Sequence, residues 1–309
     1  MRKIRKQKTN NIYQILLFTL IFIFFIFGEE TQNKENNYKA ESEIKETFNN
    51  VNDNNDKLEN NINIHYIDVG QGDSIFIELP NNNTMLIDAG ESSQKEIVKN
   101  YITNLGYSKI DYLIGTHPHT DHIGGLAYII NNFIIDKIYM PNALSTSKTY
   151  ENLLNTIASK NLKVKTAKAG VKILDEEDLK INIIAPNSKS YEDLNNYSAV
   201  IKIVYKNRSF LFMGDAEIES ENEIKVDVSA DVIKIGHHGS NSSTGKNFIN
   251  KVKAKYAIIS VGSDNKYSHP YQTVIDRLTN NKIEIYRTDL NGNILVKSDG
   301  YSLDISSSK

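Results

Sequence analysis

The sequence predicts an α/β fold built from two similar halves, and three observations lead there. Short apolar strands alternate with amphipathic helical stretches from residue 61 onward. One order of elements (strand, turn, strand, polar stretch, strand) occurs twice. In both occurrences the last strand runs into a histidine-bearing loop.

Three regions differ in composition. Arg2, Lys3, Arg5, Lys6 and Lys8 precede an apolar run, "IYQILLFTLIFIFFIFG", that ends at Gly28. Basic residues stay on the cytoplasmic side, so residues 1–28 are expected to be a signal peptide or an uncleaved signal anchor. No small-x-small cleavage site stands out near Gly28, and the chain has no cysteine for lipidation. The remainder is then expected on the extracellular side of the cytoplasmic membrane, anchored or secreted. Residues 29–60 are rich in Asn, Glu and Lys, too apolar-poor to offset chain entropy, and are expected to be a disordered tether. Residues 61–309 form the expected folded domain.

Charge narrows the function only a little. The formal net charge is −2, and the part after residue 60 keeps 27 basic against 29 acidic residues. No overall basic field advertises nucleic acid. Lys163, Lys165, Lys168 and Lys172 are the best local patch, although a solvated face is the default for such residues.

In the first half, "INIHYIDVG", "SIFIEL" and "TMLIDAG" read as strands separated by "GQGD" and "NNN" turns. A helix follows, with Ser93 and Glu96 at capping-box spacing and an apolar face of Ile97, Val98, Tyr101, Ile102 and Leu105. Gly106 ends it, and "DYLIG" (111–115) is a short buried strand. In the second half, "SAVIKIVYKNRSFLFMGD" (198–215) repeats strand, turn, strand, with Asp215 taking the place of Asp88. A polar stretch, 216–226, reads as helical. Next, "DVIKIGHHGS" matches "DYLIGTHPHT", and six residues separate Asp111 from His117 as they separate Asp231 from His237. An internal duplication would set the strand-end loops of both halves beside each other, with His117 and His237 in equivalent positions.

The loop "THPHTDHIGG" concentrates His117, His119, Asp121 and His122 in six residues, in a chain with seven histidines. A lone loop histidine is usually just solvated. Three of them with a carboxylate, mounted on one strand end, can converge on a point. Imidazole and carboxylate suit zinc, manganese or iron, and without cysteine there is no thiolate site.

"THPHTDHIGG" resembles the H-x-H-x-D-H signature of the metallo-β-lactamase-fold hydrolases. "IDVGQGDS", "LIDAG", "THPHTDHIGG", "FLFMGD", "IGHHGS" and "YSHP" follow one another as in the extracellular domain of ComEC-type competence (DNA-uptake) proteins and their stand-alone relatives. The resemblance covers residues 62 to about 305 and implies a four-layer αβ/βα sandwich with two divalent metal ions, zinc or manganese. It makes His117 and His119 ligands of the first metal, Asp121 and His122 ligands of the second, and Asp215 the bridging carboxylate. One of His237 and His238 completes the second site, and the duplication favours His237. Asp121, His238 and His269 are the candidate catalytic residues, the two histidines to orient substrate or protonate a leaving oxygen.

There is one departure from that pattern. Many members carry a further histidine between the main motif and the bridging aspartate, where this chain has "LNNYSAV"; Asn196 and Ser198 are the candidates to stand in, directly or through water. Asp68, Asp73 and Asp88 are either loop-amide acceptors or supports of ligand histidines. His65, on a strand, reads as structural.

The implied activity is an extracytoplasmic dinuclear-metal hydrolase acting on phosphodiesters, DNA among them, with no protein partner evident. The competing readings are hydrolysis of a small or wall-linked ester or lactone, as in a phosphocholine esterase, and a non-catalytic metal-containing binding module.

Overall fold

The computed structural model describes residues 61–309. The expected signal or anchor (1–28) and tether (29–60) lie outside the described residues. Among the described residues no helix is long and apolar enough to cross a membrane.

Strands β1 (Ile62–Tyr66), β2 (Ile75–Glu78), β3 (Thr84–Ile87), β4 (Lys109–Ile114), β5 (Ile134–Met140) and β6 (Val164–Thr166) lie side by side in chain order. The chain then builds a second sheet from β7 (Val171–Asp175), β8 (Leu179–Ala185), β9 (Val200–Tyr205), β10 (Arg208–Phe212), β11 (Val232–Lys234), β12 (Tyr256–Ile259) and β13 (Glu284–Arg287). It returns to the first sheet with β14 (Ile294–Ser298) and β15 (Asp304–Ser307), which extend the edge at β1. Helices α1 (Lys95–Asn104), α2 (Thr120–Ile123), α3 (Leu126–Asn132) and α4 (Lys148–Ser159) belong to the first half. Helices α5 (Ile218–Glu223), α6 (Lys246–Val252), α7 (Gln272–Asn280) and α8 (Thr288–Asn291) belong to the second.

Three apolar clusters account for four layers. Ile62, Ile64, Ile75 and Ile77 of one sheet pack against Ile181, Ile201, Ile203 and Phe210 of the other. The alternate residues Phe76 and Leu86 face outward and meet Val98, Ile102 and Ile129 of the helices. On the far side Leu211 and Ile233 meet Phe248, Val274 and Leu278. Strands buried on both faces read as nearly continuous apolar runs.

The duplication is visible in the pairing. From β1 to β6 the neighbours are antiparallel twice and then parallel three times. From β8 to β13 the sequence of pairings is the same. A matching carboxylate marks both copies. Asp111 accepts from Thr84 N at 2.9 Å, and Asp231 accepts from Ser209 N at 2.9 Å, each satisfying an amide in the first two residues of the neighbouring strand.

The two aspartates aligned by sequence are not structural equivalents. Ile87 pairs with Ile114 and Phe212 with Lys234, so Asp88 lies one residue beyond that level and Asp215 three beyond. The capping box is also absent. Ser92–Gln94 forms a 3-10 turn, Gln94 precedes α1 without a side-chain cap, and Ser93 Oγ donates to Glu91 instead. Of the expected apolar face, Val98 and Ile102 are buried while Ile97 and Leu105 are exposed. The polar stretch after Asp215 is helical, as α5.

His65 is structural. Its Nε2 lies 2.7 Å from Glu78 Oε1 and its Nδ1 3.0 Å from Tyr101 Oη. Burial pushes the Glu78 carboxyl up, but hydrogen bonds from His65, Tyr107 and Asn63 together hold it below the usual range.

Asp111→Ala and Asp231→Ala should each cost about 1–3 kcal/mol, because each leaves an amide near a strand start without its acceptor. The costs should add in the double variant, since the pair share no partner and sit in different sheets; urea unfolding measures both. Glu78 ionises more readily folded than unfolded, so its stabilisation is present above the unfolded carboxyl's titration and lost as pH falls through the folded value. Urea midpoints of wild type and Glu78→Gln should therefore differ at neutral pH and converge in acid.

Candidate metal centre

The strand-end loops of both halves meet at one edge of the sandwich. Behind β4, Thr116 N and Oγ1 donate to Asp88, at 2.8 and 2.6 Å, and fix the start of the histidine loop. Gly72 backs this loop: with φ +132°, a Cβ there would lie 2.3 Å from Asp121 O. Behind β11 the turn is more extreme. His237, His238 and Gly239 all adopt positive φ, +48°, +51° and +83°. Two consecutive non-glycine residues in the left-handed region carry a conformational cost, repaid here by side-chain placement.

Asp121, His122, Asp215 and His238 form a group whose ligand atoms lie within 4.8 Å of one another. His122 Nε2 lies 3.3 Å from His238 Nε2 and 3.2 Å from Asp215 Oδ1. His238 Nε2 is 3.3 Å from Asp121 Oδ2 and 3.4 Å from Asp215 Oδ2. The far nitrogens are pinned. His122 Nδ1 is 2.8 Å from Asp88 Oδ2, and His238 Nδ1 is 2.9 Å from the Ser260 carbonyl. Each ring therefore turns its Nε2 lone pair inward, the usual arrangement of a metal-ligating histidine. Two imidazole nitrogens and two carboxylates are a donor set that fits a divalent zinc, manganese or iron ion.

A second group adjoins the first. His117 Nε2 is 3.0 Å from His119 Nδ1 and 3.9 Å from Asp215 Oδ2. Asp215 thus faces both groups. Its backbone N–H donates to Ser198 Oγ at 3.0 Å, and the same hydroxyl lies 3.3 Å from His117 Nδ1.

The field here favours positive charge. Burial raises the Asp215 and Asp121 carboxyls, but the neighbouring His122 and His238 hold both below the usual range. Burial lowers His122 and His238, yet Asp215 and Asp121 lift both well above an ordinary imidazole. A bound cation would replace protons on these rings, so metal affinity rises with pH. Burial and the charge of His122 hold His117 well below its ordinary value, already in the neutral form a ligand needs.

The structure redistributes the sequence-predicted residues. His237 and His117 occupy equivalent strand-end positions, but His238, not His237, joins Asp121, His122 and Asp215. The left-handed turn is the reason: it folds the chain back so that the second histidine is buried and the first lies at the rim. His238 as a proton donor would compete with this ligand position. His269 lines the cavity, where burial, with His237 and His238 adjacent, lowers its pKa to about 4. Asn196 does not join the group of His117 and His119; its Oδ1 accepts from Glu217 N and Ser220 N at the start of α5. Ser198 reaches only the outer nitrogen of His117. Asp68 accepts from Gly70 N at 3.2 Å and serves its loop.

Two supports were missed in the sequence. Lys234 is fully buried and ion-paired with Asp73, and its Nζ donates to Gly214 O at 3.0 Å. A lysine inside the apolar run "VIKIG" was the available signal. Glu217 lies 3.1 Å from His237 Nδ1, and no motif marked it. Lys172 pairs with Asp175, Lys165 lies over Tyr139, and Lys168 lines a separate cavity of about 510 Å³.

The centre opens into a cavity of about 340 Å³, lined among others by His119, Asp121, Asp215, His237 and His269, with Tyr267 stacked on His269 at 5.7 Å.

Lys234→Met should cost about 3–5 kcal/mol in denaturant unfolding, because it leaves the Asp73 carboxylate buried without its cation. The double variant Asp73→Leu, Lys234→Met should regain part of that loss.

The fold and this geometry agree with comparisons to known proteins. The Metallo-beta-lactamase superfamily profile matches residues 67–263. ComE operon protein 3 of Bacillus subtilis is 32% identical, over 75% of this chain and 32% of its own length. Competence protein ComA of Neisseria gonorrhoeae and Recombination protein 2 of Haemophilus influenzae are each 27% identical, over 73% and 74% of this chain. This chain covers 30% of the first of these and 28% of the second, so it spans about a third of the curated relatives it matches. A solved CmlA β-hydroxylase variant superposes with a TM-score of 0.52 at 14% identity, over 77% of this chain and 54% of that one, a likeness of fold alone. With its family profile spanning both histidine loops, the chain belongs to the metallo-β-lactamase superfamily and is a metal-dependent hydrolase related to the competence proteins.

Proposed function

We propose that this protein is an extracytoplasmic phosphodiesterase of nuclease type. The observation that carries the reading is Asp215, one carboxylate facing two adjacent groups of ligand atoms under an open cavity. Divalent ions held there supply Lewis acidity, making a water more acidic and offsetting charge on the attacked group. Asp121, His122, Asp215 and His238 would hold one such ion, and His117 and His119, beside Asp215, would hold the other. Asp88 and the Ser260 carbonyl keep His122 and His238 in the ligand tautomer. His269 and Tyr267 form an aromatic lip on which a nucleobase can stack. The relatives named for competence and recombination support a nucleic-acid substrate. The basic flank and apolar run of residues 2–28 support an outward-facing domain, reached by protease added to intact cells unless it has been released to the medium; protection inside intact cells would remove the location.

One observation favours a second reading. The cavity lining includes Glu91 and Asp121 but, among the described residues, no lysine or arginine to grip a polyanion. A small ester or lactone fits that lining as well as a strand of DNA does.

The test uses bis-p-nitrophenyl phosphate, single- and double-stranded DNA, a carboxylic ester and a lactone, with zinc or manganese and with chelator. Wild type should cleave phosphodiesters and lose activity to chelator. Asp215→Asn and Asp121→Ala should each lose on the order of a thousandfold in rate, while His65→Ala keeps nearly full turnover. Cleavage of the ester or lactone alone would establish the second reading. A fully metallated wild type inert on every substrate would leave a binding module.

A further inference from the structure

Glu217 and His237 form a pair that the assignments above leave without a task. The left-handed turn sets His237 at the cavity rim, with its Nδ1 3.1 Å from Glu217 Oε1. Glu217 is itself held in place: Ser242 Oγ donates to the same oxygen at 2.6 Å and Asn195 Nδ2 at 3.4 Å. The other ring nitrogen, Nε2, lies 3.7 Å from Asp215 Oδ2. That is the oxygen 3.9 Å from His117 Nε2, which in turn touches His119.

The pattern repeats what Asp88 does for His122 and the Ser260 carbonyl for His238. An acceptor fixes one ring nitrogen and the other is aimed at a carboxylate of the centre. His117, His119 and Asp215 offer only three donors, and no histidine occurs between His122 and His237 to add a fourth from that segment. Asn196 and Ser198 are committed to the start of α5 and to the outer nitrogen of His117.

We propose that His237 is the third imidazole of the first metal position, completing a set of His117, His119, Asp215 and His237, with Glu217 as its positioning residue. Three imidazoles and a carboxylate select a zinc-like ion over magnesium. The proposal rests on the two-ion reading above, and its test separates the two.

The full chain is stripped with chelator and titrated with zinc against a chromophoric competitor, and stoichiometry is read by elemental analysis. Wild type should take up two ions. His237→Ala should weaken one of them by about a hundredfold or abolish it, with the other unchanged. Glu217→Gln should weaken the same ion by roughly 10–100-fold. His238→Ala should weaken the other ion. Cobalt absorption should lose intensity at one position only in the His237 and Glu217 variants. Equal unfolding midpoints of the metal-free proteins separate lost ligation from lost fold. Two ions bound with unchanged affinities in His237→Ala would overturn this assignment alone. A wild type that binds a single ion would overturn the two-ion reading, and the first position with it.

Discussion

A buried ion pair between Asp73 and Lys234 underlies the whole centre. Asp73 comes from the loop after β1 and Lys234 from the end of β11, so the pair joins the two halves directly below the histidines. Asp73 also stands 3.4 Å from His238 Nδ1 and 3.8 Å from His122 Nδ1. Without the lysine, three carboxylates (Asp73, Asp88 and Asp215) would share a space from which water is excluded, a cost of several kcal/mol per ion. With it, the negative charge left over is directed at the inward-facing nitrogens, where a cation belongs.

The duplicated topology explains why such a pair exists. Each half places a parallel strand end, three residues short of a histidine, at the same edge of the sandwich. Two half-sites built alike then face each other, and the group of Asp121, His122, Asp215 and His238 draws on both. The halves have since diverged in their turns. The first spreads its ligands over a loop and the short α2, whereas the second doubles back through three left-handed residues. That doubling back lets two adjacent histidines point to different places, one inward with Asp121 and one to the rim with Glu217.

The chemistry follows from this asymmetry. Asp215 sits between two groups of nitrogen donors, buried, held ionised, and anchored through its own amide to Ser198. The surrounding cavity is aromatic and acidic, not basic, so recognition of an anionic substrate falls to the bound cations and to ring stacking. Substrate range in this superfamily is set by such linings and not by the fold.

Much of the architecture was readable from residues alone. Strand periodicity, the repeated order of elements and the spacing of Asp111–His117 against Asp231–His237 indicated two alike halves, because burial on a sheet imposes a period that local sequence must obey. The cluster His117–His122 was readable for the same reason: its ligands share one strand end. The choice between His237 and His238 was not, since backbone handedness decides it and adjacent residues look interchangeable in a string. Asp88 seemed to match Asp215 until strand register displaced the two by two residues. Lys234 and Glu217 acquire their roles only from partners 161 and 20 residues away, Asp73 and His237. Such contacts are set by how the sheets stack, for Asp73 and Lys234, and by how loops from neighbouring strands meet, for Glu217 and His237, and no local pattern encodes them.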